Sequence, residues 1–316
     1  MPENINEQLN IADAKGGKNN EGGENSRPKF DISADNPELS KTTSQLNDLH
    51  SMVAGDKQID AETLNKIREQ ILALKNKEKE KHSISVNYTH PDGKQETINL
   101  DLETKLVDFF SFYQETNIDL PPDFANTIRD IWKKNQTEIE RAIEQNGFDD
   151  MLIIPPTTDI GDLSKKMRMS KNYHDLINPR GLAVSWPETL ADIPFVSQNT
   201  DKPRLILVHK TQNFKDRPEL QQTIDTKAED VKMDQALTLE DYLIFQRKYF
   251  EETGKHLEDD VIKGSVVSTW LATKSGDGVV YSGWRPDYHQ LSVHVHSLGS
   301  RFQSPSNGVR PARSFF

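Results

Sequence analysis

Hydrophobic and polar residues change their pattern several times along the first half of the chain. Residues 60–81 carry apolar side chains at helical spacing after Asp60, a suitable N-cap, and predict a helix. Apolar and polar residues then alternate on both sides of residues 91–93, Pro-Asp-Gly, which predicts a β-hairpin. Two further helices are predicted over 106–113 and over about 122–145.

The second half has shorter apolar segments. Buried strands are predicted at 151–154 and 205–208, and a helix over 159–169. Thr238 begins another helix, with Asp241 as its capping-box partner and Gly254 as its C-cap. Short strands follow at 268–271, 278–281, 291–296 and 308–316. This order predicts an α+β fold that ends in a small antiparallel sheet.

The same patterns predict three regions. Residues 1–44 are rich in Asn, Gly, Glu and Ser, which predicts a disordered tail; a recruitment arm is the alternative. Residues 45–148 are expected to form a small α+β domain of helices and a hairpin, which could serve as a scaffold, a dimerisation element or an adaptor. Residues 149–316 are expected to form the second domain.

Composition excludes several classes of protein. The 316 residues include no Cys, so a disulfide framework, a thiol nucleophile and a cysteine metal cluster are impossible. A formal charge of −11 argues against nucleic acid as the partner of the whole chain. No secretory signal and no apolar run of membrane-spanning length is found, so we expect a soluble cytoplasmic protein, with export by another route left open.

Residues 291–296 alternate aliphatic residues with Ser and His, and the side chains of a strand point alternately to its two faces. We expect the aliphatic side chains to pack on the core: Leu291, Val293 and Val295. We expect the opposite row to be exposed: Ser292, His294 and His296.

The surrounding residues are of the types that binding loops favour, since Tyr gives rigid contact area, Arg gives forked donors and Ser gives adaptable hydrogen bonds. Large apolar and turn residues between them are interpreted as framework, among them Trp284, Leu291, Gly308, Val309 and Pro311. The predicted ligand-binding surface consists of Ser282, Gly283, Arg285, Tyr288, His289, Ser292, His294, His296, Ser297, Ser300, Arg301, Phe302, Ser304 and Ser306.

Residues 261–316 carry a net charge of +4 on an acidic chain, from six basic residues and two aspartates. A preference for acidic partners is one interpretation of this charge. The alternative is that Arg310 and Arg313 form internal hydrogen bonds.

Three stretches of the chain resemble the variable proteins of diversity-generating retroelements. They are residues 270–273 (Trp-Leu-Ala-Thr), residues 279–284, and the closing Gly-Val-Arg-Pro-Ala-Arg-Ser-Phe of 308–315. The resemblance covers roughly 150–316 and is strongest after 264. It implies a C-type-lectin fold of the subtype shared with formylglycine-generating enzymes, with a variable region at about 282–307. It also implies a non-enzymatic protein, without a cofactor, that binds a protein or another macromolecule.

In that family, adenine mutagenesis of the coding DNA rewrites selected codons, typically of the AAC type. Such codons cannot become Trp or Gln when the final pyrimidine is fixed. The resemblance therefore implies that Trp284, Gln290 and Gln303 are framework positions.

Two other functions remain as alternatives. His294 and His296 form a His-x-His pair near His289, and imidazoles at this spacing can bind zinc, so a metal- or sugar-binding lectin-like module is one alternative. Calcium-dependent sugar binding is not favoured, because Arg285 would oppose a cation in the stretch 284–287. A hydrolase with a dispersed site is the other, although we find no Gly-rich phosphate loop, nucleophile elbow or His-Glu-x-x-His motif.

Overall fold

The computed structural model describes residues 82–157, 159–168, 195–197, 200–232, 234–259, 261–262, 265–285, 290–297 and 307–316. Within these ranges the protein has a mixed α+β fold, with few helices and several antiparallel sheets. The predicted tail 1–44 and the predicted helix 60–81 lie outside the described residues.

Four of the five described α-helices form where the apolar spacing predicts them, and the exception is the four-residue helix at 218–221. The described helices are α1 (Leu102–Glu115), α2 (Phe124–Asn146), α3 (Ile160–Arg168), α4 (Pro218–Gln221) and α5 (Leu239–Thr253). The Thr238 hydroxyl accepts a hydrogen bond from the Asp241 backbone N–H, and the Asp241 carboxylate accepts one from the Thr238 N–H. Gly254 and Gly147 end α5 and α2 with φ near +69° and +67°, a left-handed conformation that suits glycine. The predicted capping box and the predicted C-cap at Gly254 are therefore confirmed.

The strands of the first half are β1 (Ser83–Thr89), β2 (Gln95–Asp101), β3 (Asp150–Ile154), β4 (Phe195–Ser197) and β5 (Arg204–Val208). Those of the second half are β6 (Val261–Ile262), β7 (Ser265–Val266), β8 (Ser268–Ser275), β9 (Gly278–Arg285), β10 (Gln290–Ser297), β11 (Asn307–Val309) and β12 (Arg313–Phe315). The predicted hairpin is confirmed as β1 paired with β2.

Two larger sheets organise the second half of the chain. One has three antiparallel strands in the order β12-β5-β3, so the strand at 313–315 pairs beside a strand that precedes it by about a hundred residues. The other has the order β10-β9-β8-β11, with β4 also paired to β8. In this second sheet β11 runs parallel to β8, whereas β4, β9 and β10 pair antiparallel to their neighbours.

A single large hydrophobic cluster joins these elements. It contains Ile84 from β1, Trp132 from α2, Leu207 from β5 and Leu291 from β10, all buried. Residues on both sides of the predicted boundary between 148 and 149 therefore share one core. Arg217 adds a polar contact across the boundary, because its Nη2 donates to the Gly147 carbonyl at 2.7 Å while its Nη1 pairs with Asp149.

Arg310 and Glu258 form a buried ion pair between these sheets. The Arg310 side chain is 2% exposed and the Glu258 side chain 0%. The Arg310 Nε donates to the Glu258 carboxylate. Its terminal nitrogens donate to three backbone carbonyls, those of His209, Thr211 and Gln212. The interpretation of Arg310 as an internal hydrogen-bonding residue is thus confirmed.

Other groups complete the surroundings of this pair. The hydroxyls of Tyr242 on α5 and Thr269 on β8 both donate to the Glu258 carboxylate. The Arg310 guanidinium lies 5.5 Å and 5.8 Å from the ring centroids of Phe214 and Phe245. A charge removed from water is stable only when such partners replace its hydration. The pair therefore connects α5, β8 and the segments that follow β5 and β11.

Replacing Arg310 by Ala should destabilise the protein strongly, because Glu258 would be left as an uncompensated buried carboxylate. Breaking such a pair typically costs about 3–5 kcal/mol. The free energy of unfolding in urea measures this. Arg313→Ala is the matched control, since Arg313 lies three residues away and is exposed. Equal losses in the two variants would contradict the role assigned to the ion pair.

His209, at the end of β5, is a buried histidine whose ring lies 5.0 Å from that of Phe148. Burial, with the charges of Arg217 and Arg310 and the nearby His90, lowers the pKa of His209 from 6.5 to about 3. The folded protein therefore keeps this imidazole neutral, while the unfolded chain takes up a proton below pH 6.5.

The free energy of unfolding should consequently fall as the pH drops from about 6.5 towards 3. Above pH 6.5 the destabilising contribution of His209 should be absent, because the imidazole is then neutral in both states. His209→Leu removes this contribution. The difference in unfolding free energy between wild type and variant should change by about 1.4 kcal/mol per pH unit inside the window. Urea titrations at a series of pH values test this, and a difference independent of pH would show that His209 titrates normally in the fold.

Candidate ligand-display site

The hairpin β9–β10 determines which side chains of the predicted display region lie side by side. In its register Ser292 is opposite Gly283, and His294 is opposite Tyr281. On the adjoining strand pair, Trp270 of β8 is opposite Tyr281. Tyr281, Trp270 and His294 therefore share one face of the sheet.

The other face of the same strands lies in the main core. Leu291 and Val293 of β10 are buried there, as expected, together with Leu271 of β8 and Val280 of β9. Trp284 is buried with them, and its ring stacks on that of His256 at a centroid distance of 3.4 Å. These contacts hold β8, β9 and β10 firmly on the body of the protein.

Four rings form what we call the aromatic row: Trp270, Tyr281, His294 and His296. The rings of Tyr281 and His294 are stacked, with centroids 4.8 Å apart and an angle of 14° between their planes. Trp270 contacts Tyr281 and His296 edge-on, at 5.0 Å and 5.5 Å. Tyr281 and His296 are half-buried, so the row is accessible at these two residues.

The expectation that the whole Ser/His/His row of β10 is exposed is wrong. Ser292 is 1% exposed and His294 is 9% exposed, whereas Val295, expected in the core, is 38% exposed. This face of the sheet is itself covered near its centre, where Trp270 packs in a second hydrophobic cluster with Ala228 and Val231. Alternation identifies the residues that share a face, but a sheet covered on both sides buries both rows.

Ser282 and Gly283 are also buried, and their assignment to the ligand-binding surface is corrected. The Ser282 hydroxyl donates to the Ser292 carbonyl at 2.9 Å, so it joins β9 to β10. A Cβ atom on Gly283 would lie 2.5 Å from the Val267 carbonyl oxygen, too close for any other residue without a backbone shift. In this structure both are framework positions.

The other predicted contact residues are not placed. The side chains of Arg285 and Ser297 lie outside the described residues, although their backbones end β9 and β10. Seven whole residues also lie outside: Tyr288, His289, Ser300, Arg301, Phe302, Ser304 and Ser306. Of the predicted surface, the structure therefore places only His296 as a partly accessible side chain.

Sequence reasoning missed Trp270 and Tyr281 as members of this site. The alternation of residues 279–284 could have placed Tyr281 on a face, but only the pairing of β9 with β10 brings it beside His294. The framework assignment was more successful. Trp284, Leu291 and Gly308 are buried, and a Cβ on Gly308 would meet the Phe214 ring at 2.5 Å.

The zinc alternative gains no support from the part of the chain that the structure describes. Within it, no group of three or more His, Cys, Asp or Glu side chains converges as a metal site. His294 and His296 instead contact the rings of Tyr281 and Trp270.

Gly283→Ala should reduce the unfolding free energy by about 1–3 kcal/mol, because the added methyl group displaces the backbone at Val267. His296→Ala should cost less than about 1 kcal/mol, because its ring is half-buried at the accessible end of the aromatic row. Urea unfolding of the two variants provides the comparison. A larger loss for His296→Ala than for Gly283→Ala would reverse the assignment of framework and surface.

Comparison with protein-family models, with curated proteins and with solved structures finds no match to this chain. Among the described residues, no helix combines the length and the apolar character needed to cross a membrane. The function is therefore inferred from the residues and contacts of the chain itself.

Proposed function

We propose that this chain is a non-enzymatic binding protein, a variable protein of a diversity-generating retroelement that displays a diversified surface on a C-type-lectin-like scaffold. Its ligand is a protein or another macromolecule. The contact surface consists of Tyr281 and His296, with the predicted positions Arg285, Tyr288, His289, Ser297, Ser300, Arg301, Phe302, Ser304 and Ser306. Ser282, Gly283 and Ser292 are buried framework positions, and His294 stacks on Tyr281 within the same face.

One observation carries the proposal: the two faces of β8–β10 differ in chemical character. One face is aliphatic and belongs to the main core, through residues such as Val280 and Val293. The other carries aromatic and imidazole rings, which are accessible at Tyr281 and His296. Amphipathic rings on a rigid sheet give large contact area with little loss of side-chain freedom, as binding surfaces require.

The way in which residues 307–315 are held also supports the proposal. These residues contain the most specific part of the resemblance, and they contribute β11 to one sheet and β12 to the other. Arg310 lies between the two strands and pairs with Glu258. A display region between β10 and β11 would thus be fixed at both ends, which limits the ordering cost of binding.

The contacts made by the described side chains of this face are those of a packed surface, which favours binding. The Tyr281 and His294 rings are stacked on each other, and the Ser292 hydroxyl is buried at 1% exposure. Substitutions on such a surface change the ligand without removing a reaction centre, as a diversified protein requires.

Sequencing the DNA that surrounds the natural gene tests the proposal. We expect a near-copy of the 3′ coding region close to a reverse-transcriptase gene, differing from it mainly at adenines. The differences should fall on codons of the contact surface, such as those for His296 and Arg301. They should spare the codons for Trp284, Gln290 and Gln303, and also those for Gly283 and Ser282, which the fold requires.

Neighbouring DNA without such a copy would contradict the proposal. So would a copy whose differences are spread evenly over framework and surface codons. Sparing of the codons for Gly283 and Ser282 is a sharper criterion than sparing of the other framework codons. Burial in the structure makes these two positions framework, whereas the sequence pattern had placed them on the contact surface.

A further inference from the structure

A groove of about 420 Å³ lies between the second half of α2 and residues 311–313. Glu138, Arg141 and Gln145 recur along α2 at spacings of three and four residues, so they occupy one face of the helix. Arg313 of β12 and Gln235 line the same groove, as do Ala142 and Ala312. The volume falls within the usual range for small-molecule sites.

The two arginines of this groove, Arg141 and Arg313, differ from the other described arginines in that they form no ion pair. Among the arginines whose side chains are described, five pair with a carboxylate: Arg129, Arg204, Arg217, Arg247 and Arg310. Arg141 and Arg313 are the two described arginines without a carboxylate within ion-pair distance. Both are exposed, and both line the same groove.

Two forked cations that line one groove supply the donors that an oxyanion needs, because each guanidinium can donate two parallel hydrogen bonds to a carboxylate or a phosphate. The amides of Gln145 and Gln235 add neutral donors and acceptors beside them. Glu138 lines the groove too, so its charged side chains sum to one positive charge. This favours a ligand with few anionic groups over a polyanion.

We propose that this groove binds a small organic anion whose carboxylate or phosphate group lies between Arg141 and Arg313, with its apolar part against Ala142 and Ala312. The site is separate from the aromatic row and does not depend on the proposed display function. It also gives a specific location to part of the positive charge of residues 261–316.

Methyl NMR on the full chain, labelled at alanine, tests this with succinate and glycerol phosphate as probes. Saturable shifts are expected for the methyl groups of Ala142 and Ala312, which line the groove, and not for Ala272 of β8. Arg141→Gln and Arg313→Gln should each weaken binding about tenfold, since each removes a charge-assisted interaction. Both side chains are exposed, so these variants should stay folded.

Lys133→Gln is the matched control, because it removes one positive charge from an exposed position of the same helix outside the groove. Binding should be unchanged in this variant, and the neutral analogue succinamide should produce no shift. Response to succinate alone would identify a carboxylate ligand, and response to glycerol phosphate alone a phosphate ester. No saturable shift with either probe, or equal weakening by Lys133→Gln, would overturn the proposal.

Discussion

The buried pair of Arg310 and Glu258 is the interaction on which the rest of the structure depends. A guanidinium and a carboxylate removed from water need a complete set of partners, and here those partners come from separate parts of the chain. Satisfying both charges fixes α5, β8 and the segments after β5 and β11 relative to one another. Arg310 lies between β11 of one larger sheet and β12 of the other, so this polar centre links the two sheets.

This fixed centre gives the aromatic row its geometry. β8 contributes Thr269 to the ion pair and the next residue, Trp270, to the row, so the charge cluster and the ring cluster lie on opposite faces of one strand. Tyr281 and His296 then take their positions through strand pairing with β8 and β9. The proposed display function requires a backbone held in this way, so that side chains can change on a fixed surface.

Local patterns predicted most of the elements, because helix spacing, strand alternation and caps are properties of neighbouring residues. Thr238, Gly147 and Gly254 mark helix ends in the sequence as they do in the structure. The pairing of Arg310 with Glu258 spans 52 residues and leaves no local signal. The burial of Ser292 and His294 was unpredictable for a similar reason, since the cluster that covers their face includes Ala228 and Val231 from a distant segment.

The order of β10, β11 and β12 along the chain has a consequence for protein synthesis. The proposed display region, residues 282–307, is made before Arg310, so the ion pair cannot form until translation has passed through the whole region in frame. A frameshift or stop codon introduced there would remove β11, Arg310 and β12, so Glu258 could not be buried with its cation. Such a chain should be less stable and more exposed to proteolysis. Under the proposed function, the fold would therefore select variants whose reading frame is intact.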